Sequence, residues 1–199
     1  MRFRQATEAD APALAELFAA NHHDALTPEQ RAEQGFVQGD FDAAALRAMA
    51  AAGSLLLADD DGRAAGLLAL APPDDVPAPP PPLRALLDAQ DALQWRGRPL
   101  SATRWLVYGP VVVDPAYRGQ GVARRLFTMA VEAATGRAEA IVAFIETSNQ
   151  PSRRVHIDGF GMRPLGEVTA TGRHYLVVAA PVPTAPEGPG RGGGAGSTP

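Results

Sequence analysis

The sequence predicts an α/β fold, a mixed central sheet flanked by helices, and three segments carry that prediction. Val111-Val112-Val113 is a β-branched run that reads as a buried strand, and it leads through Gly119 and Gly121 into Ala123–Val131 at helical spacing. Ala140–Ile145 is a short, wholly apolar run and reads as a second buried strand. Ser54–Ala58 and Ala65–Leu70 flank an Asp-Gly turn signal, the mark of a hairpin. With 199 residues, 46% of them hydrophobic and 20% charged, the chain suits one globular domain with a sizeable core.

Taken in order, Phe3–Ala6 reads as the first strand and Thr7–Asp10 as a helix start. Pro12 in the first turn and the stripe Leu14, Leu17 and Phe18 continue that helix. Asp42–Ala52 is a second helix closed by Gly53. In the hairpin that follows, Asp59-Asp60-Asp61 is a solvated turn; no second carboxylate cluster with ligand spacing accompanies it, so no metal is expected. Pro72–Thr103 then intervenes between the third and fourth strands. It opens Pro-rich and extended at residues 76–82, continues as a short amphipathic helix (Leu83, Leu86, Leu87), and returns to the sheet through Trp95–Leu100. After the strand–turn–helix and the strand at 140–145, Met162–Val168 and His174–Ala179 form a last pair of strands around Thr171-Gly172. The domain is expected over 1–180, and 181–199, rich in Pro and Gly, is expected as a disordered tail.

Composition excludes several classes. Cysteine is absent, which removes disulfides, thiolate metal sites and a Cys nucleophile. A net charge of −4 argues against nucleic acid as a partner. The N-terminus lacks the apolar core of a signal peptide and no stretch approaches membrane-spanning length, so no membrane partner and a cytoplasmic location are expected. All 18 basic residues are arginine.

The turn between Val113 and Ala123 places free backbone N–H groups and glycines at a helix start, a suitable site for a phosphate. A Walker loop would need Lys-Ser/Thr after the last glycine, whereas Val122-Ala123 follows Gly121 and the chain has no lysine. A dinucleotide fingerprint would need a third glycine where Arg124 stands. An ordinary glycine-rich turn without ligand is the alternative. What does fit is Arg118-x-x-Gly121-x-Ala123, which resembles the Arg/Gln-x-x-Gly-x-Gly/Ala acyl-CoA loop of the GNAT N-acetyltransferase superfamily. Downstream, Asn149, Ser152, His156 and Gly159-Phe160 follow the order that family shows after its next strand, with a gap between His156 and Gly-Phe one residue shorter than usual.

The resemblance covers about residues 2–180 and implies a GNAT-like acyl-CoA transferase fold with acetyl-CoA as co-substrate and no metal. It implies that backbone N–H groups of Arg118, Gly119, Gln120, Gly121, Val122 and Ala123 hold the pyrophosphate, with the Arg118 side chain able to add charge. It further implies that Val111, Val112 and Val113 offer backbone hydrogen bonds to the pantetheine arm, with an N–H near Val111 polarising the thioester carbonyl. Asn149 and Ser152 fall on the coenzyme side, and Asn149 equally suits a helix N-cap. His156 occupies the place of the family's usual acid, where an imidazole can do acid or base work, or simply pack on its short helix.

The general base is open, because the family's carboxylate position is Val107 here and its in-facing neighbour is Gly109; Tyr108, Glu146, the His22-His23 pair and ordered water are candidates. His22-His23 is otherwise expected in a solvated turn. The resulting expectation is an N-acetyltransferase acting on a primary amine by direct attack, the alternative being a catalytically silent acyl-CoA-binding or regulatory module. The insertion is expected beside the coenzyme cleft, with Trp95, Arg96 and Arg98 lining an acceptor entrance or a homodimer contact.

Overall fold

The computed structural model describes residues 1–76 and 78–184. In chain order it has β1 (Arg2–Gln5), α1 (Ala11–Ala20), α2 (Pro28–Gln34), α3 (Ala43–Ala51), β2 (Leu55–Asp60), β3 (Arg63–Ala71), α4 (Pro81–Ala89), β4 (Gln94–Trp95) and β5 (Arg98–Pro99). It continues with β6 (Trp105–Val113), α5 (Val122–Ala134), β7 (Ala140–Glu146), α6 (Gln150–Arg153), a π-helical turn over Arg154–Gly159, β8 (Arg163–Ala170) and β9 (Arg173–Pro181).

Seven strands form one mixed sheet in the order β1-β2-β3-β6-β7-β9-β8, and every neighbouring pair but one is antiparallel. The exception is β6–β7, whose connection through α5 is the crossover a parallel pair requires. The turns obey local chemistry. Asp61-Gly62 and Thr171-Gly172 both carry positive φ at their two central positions, as a two-residue hairpin turn demands. Asp42 caps α3 by accepting from the Ala45 N–H at 2.8 Å.

Both faces of the sheet are covered. On one face α5 and the turn after α6 pack against Leu106, Tyr108, Ile141, Ala143 and Ile145. On the other, α1 and α3 cover β2, β3 and Val112, and α4 covers the far half around Val107, Val142 and Val177. Leu83 and Leu86 of α4 are sealed against that sheet, so its apolar face is covered by the chain itself. Trp95–Leu100 does not rejoin the sheet. It forms a separate hairpin, β4–β5, turning at Arg96-Gly97 with both φ positive, and β6 begins only at Trp105. Trp95 is buried in the α4 cluster, and Arg98 pairs with Glu139 just before β7, at the end of the sheet away from where β6 and β7 part.

Asp59, the first residue of the acidic triplet, is buried rather than solvated, accepting from Arg2, Arg4 and the Gly62 N–H. Of the residues assigned to the tail, Pro181 is the last of β9 and Val182 is buried beside the sheet; residues 185–199 lie outside the described residues. Among the described residues no helix is long and apolar enough to cross a membrane, and no group of three His, Asp or Glu side chains is placed to hold a metal ion.

Candidate active site

The site begins where two strands part. β6 and β7 pair only at Trp105↔Ala140, Leu106↔Ile141 and Val107↔Val142. Beyond that point β7 stays on β9 as far as Glu146, while β6 stays on β3 as far as Val113. A V-shaped opening results, and a bulge in β6 opposite Leu68–Leu70, at Gly109 and the cis peptide to Pro110, marks where it starts. Asp114 N–H donates to Ala65 O at 3.0 Å, which makes 65/114 a hydrogen-bonded pair of the antiparallel ladder. Alternation then commits the Val112 N–H and C=O to Leu67 of β3 and leaves those of Val111 and Val113 facing the V. Val112 therefore has no backbone group to offer a ligand, contrary to the expectation for the whole triplet. Its side chain packs with α1 and α3.

The loop after β6 is built rigidly. Asp114 accepts from the Ala116 N–H and pairs with Arg63 at 2.8 Å, while the Tyr117 hydroxyl donates to Asp60 at 2.8 Å. Gln120 is occupied internally, donating to Ala116 O at 2.9 Å. Gly119 and Gly121 sit at φ +74° and +79°, a region where a Cβ is disfavoured, and a Cβ on either would point into open space. Gly121 caps α5, whose first internal bond is Arg125 N–H to Gly121 O at 3.0 Å. The N–H groups of Val122, Ala123 and Arg124 thus have no helical acceptor and present the positive end of the dipole. Below them the Val122 and Leu126 side chains press on Gly66 of β3, where an added Cβ would meet Val122 Cγ1 at 3.0 Å.

Arg118 and Asn149 have other partners than those expected of coenzyme ligands. The Arg118 guanidinium donates to Val113 O at 3.1 Å, to Asn21 Oδ1 at 2.6 Å and to Gln34 Oε1. Asn149 donates to Phe36 O at 2.9 Å and accepts from the Ser152 N–H at 3.3 Å, which makes it the N-cap of α6. Both therefore grip the segment from Asn21 to Gln38. The sequence reading missed that segment, although Thr27 and Gln30 form a capping box with Pro28 at the first position of α2, a signal visible in the sequence. Asn21 and Gln34 are the side chains in it that meet Arg118, and no sequence signal marks them. His22 and His23 lie in the turn after α1, about a quarter exposed, each beside an aromatic ring, Phe18 and Phe36 respectively.

At the base of the V, on the α5 face, His156 and Tyr108 meet edge to face with ring centroids 5.6 Å apart, enclosed by Phe127 and Phe160. His156 is 7% exposed. Its Nδ1 lies 2.8 Å from Ser152 O, so Nδ1 carries the proton and Nε2 holds a lone pair; the Ser152 hydroxyl is 3.3 Å from the same nitrogen. Burial lowers the pKa, outweighing the Ser152 carbonyl that raises it, so the imidazole is neutral at neutral pH. That state suits taking up a proton at Nε2 before giving one away. Burial pushes the Tyr108 phenol far up, and its hydroxyl is sealed without a partner, a donor lacking an acceptor.

Glu146 stands on the opposite face of the V. Ser148, Arg173 and Gln38 all donate to it and outweigh its burial, so its pKa is lowered. A carboxylate so firmly ionised is a weak base. Val107 is buried among apolar side chains and supplies no proton acceptor.

The sequence model described as "Acetyltransferase (GNAT) family" matches residues 13–162. No curated protein matches the chain by sequence. Among solved structures, the chain is similar to a putative acetyltransferase from Salmonella typhimurium with its cofactor acetyl-CoA, at 16% identity over 96% of this chain and 98% of that one, TM-score 0.60. A GNAT-family acetyltransferase from Streptococcus agalactiae matches at 15% identity over 90% and 94%, TM-score 0.63. A ribosomal-protein-alanine N-acetyltransferase from Brucella melitensis matches at 20% identity over 91% and 99%, TM-score 0.56. At these identities the likeness to solved structures is one of fold.

Proposed function

This chain belongs to the GNAT acetyltransferase family, and from that premise we propose that it transfers an acetyl group from acetyl-CoA to a primary amine by direct attack. The observation that carries the reading is the opening of β6 from β7, which leaves the Val111 and Val113 N–H groups free beside the unpaired amides at the start of α5.

In this reading the pyrophosphate rests on the backbone from Gly119 to Ala123, and the pantetheine arm lies along Val111 and Val113 like an added strand. The Val111 N–H donates to the thioester carbonyl oxygen. As the amine adds to the carbonyl carbon, a C–N bond forms and the oxygen becomes an oxyanion held by that N–H, a contact typically worth about 3 kcal/mol. The surplus proton on nitrogen passes to His156 Nε2. The C–S bond then breaks, and the imidazolium, made more acidic by its burial, returns that proton to the departing sulfur. Tyr108 stays a phenol, buried edge to face against His156 at the base of the V. The amine must arrive deprotonated, since Glu146 is too firmly ionised to take its proton.

Incubation with acetyl-CoA and a panel of primary amines (spermidine, lysine, ethanolamine, an alanine-initiated peptide) tests the reading. Amine-dependent thiol release with an N-acetylated product is expected for at least one. Tight acetyl-CoA binding with no thiol release from any amine would favour a silent binding module.

A further inference from the structure

Segment 21–38 closes the V on the face opposite α5, and its fastenings are unusually specific. At one tip, the loop after β6, the Arg118 fork joins three elements: Val113 O of the strand, Asn21 Oδ1 at the end of α1 and Gln34 Oε1 at the end of α2. Asn21 is itself buried, donating to Leu17 O and accepting from the Val37 N–H. At the other tip, just past β7, Asn149 is 5% exposed and donates to Phe36 O. Gly35 passes so close that a Cβ there would lie 2.9 Å from Asn149 Oδ1, and its φ is +76°. Gln38 then donates to Glu146 and accepts from the Tyr175 hydroxyl. The coenzyme side of the V carries α5, Tyr108 and His156, so the amine must reach the thioester from the side this segment walls.

We propose that Arg118 and Asn149 are paired positioning residues that fasten segment 21–38 across the open ends of β6 and β7 as the acceptor-side wall, with neither side chain carrying acetyl-CoA affinity. The inference rests on the proposed activity and assigns that site's Arg118 a role other than phosphate binding. Three donors of the guanidinium are committed to oxygens of β6, α1 and α2, and both ends of the Asn149 amide are committed to Phe36 O and the α6 N-terminus. The bonds already made hold both side chains on the wall, and the donors left over, two on the guanidinium and one on the Asn149 amide, are fixed by that placement.

Arg118→Ala, Arg118→Lys and Gly35→Ala separate the two roles. A lysine keeps the charge but cannot reproduce the three-way fork. The clamp predicts that all three variants bind acetyl-CoA within about twofold of wild type by calorimetry and exchange amide hydrogens faster across 21–38. It also predicts that KM for the amine turned over by wild type rises about tenfold. An Arg118→Ala variant that loses acetyl-CoA affinity tenfold or more, with Arg118→Lys restoring it, would make Arg118 a phosphate ligand and overturn the inference. Unchanged exchange across 21–38 would overturn it too. Wild-type protein that binds no acetyl-CoA would instead strike the proposed activity, while the exchange data still decide the clamp.

Discussion

Gly121→Ala and Gly136→Ala form a matched pair that isolates the coenzyme loop from its backbone strain. The two glycines sit at φ +79° and +77°, and a Cβ on either meets nothing within 4 Å. Each alanine must adopt the left-handed region, at a cost of about 1–2 kcal/mol. For a chain of this size that is a Tm loss of roughly 2–8 °C, the same in both variants. They differ in place. Gly121 caps the start of α5 and Gly136 lies just past its end, 13 helical residues away, a separation of about 20 Å at 1.5 Å per residue. The added methyl at 121 fills the space where a pyrophosphate would approach the amides of Val122–Arg124, so acetyl-CoA affinity should fall about tenfold or more, some 1.4 kcal/mol. Gly136→Ala should leave it unchanged. Thermal unfolding and calorimetric titration of the two proteins side by side give both numbers. Equal Tm losses with equal, undiminished acetyl-CoA affinities would refute the assignment of this loop, and Gly121→Glu, which adds a repelling carboxylate, should then also bind normally.

Gly66→Val should destabilise the fold by about 1–3 kcal/mol through overpacking and weaken acetyl-CoA binding by lifting the first turn of α5, because its Cβ would press on Val122, Leu126 and Val112 O; unchanged chemical denaturation would contradict the packing. His156→Phe should keep acetyl-CoA affinity while turnover falls about 10²-fold, and unchanged turnover with a competent amine would return His156 to packing. The same histidine predicts a pH effect: its folded pKa lies below the ordinary value near 6.5, so its stabilising share is full above about pH 6.5 and is lost as pH falls toward the folded value. Wild-type stability should accordingly drop on acidification with a slope of at most about 1.4 kcal/mol per pH unit that His156→Phe lacks, as denaturant titrations across pH would read. Leu86→Ala should cost about 2–5 kcal/mol, since this side chain of α4 is fully buried against the sheet; a loss under about 0.5 kcal/mol would mean that α4 is not part of the core.

The elements that frame the cleft were legible because their signals are local. A valine run, two glycines and a 3.6-residue stripe sit within 25 residues of one another, and the strand at 140–145 announces itself by being apolar on both faces. What could not be read was side-chain pairing across the fold. Arg118 meets Asn21 and Gln34 over separations of 97 and 84 residues, and no periodicity in either stretch encodes that meeting. The motif therefore marks the loop and its glycines, while the guanidinium turns to partners that no motif names. Tyr108 and His156 met the same limit: each was named, yet their edge-to-face contact and the tautomer fixed by Ser152 O belong to packing alone. The helix α2 is different, because its capping box was present in Thr27–Gln30 and only its short length hid it. For α4 the stripe of leucines was right, and what it packs on, the sheet of its own chain, is again a matter of pairing across the fold.

If the cleft between β6 and β7 receives acetyl-CoA along the free amides of β6, those amides must gain protection on binding. Residue-resolved hydrogen exchange of the full chain, with and without saturating acetyl-CoA, addresses it directly. Protection should rise at Val111 and Val113 and at Val122–Arg124, while Val112, already bonded to β3, and the β8–β9 hairpin stay as they were. Acetyl-CoA that binds but leaves Val111 and Val113 exchanging at their free rate would contradict the account.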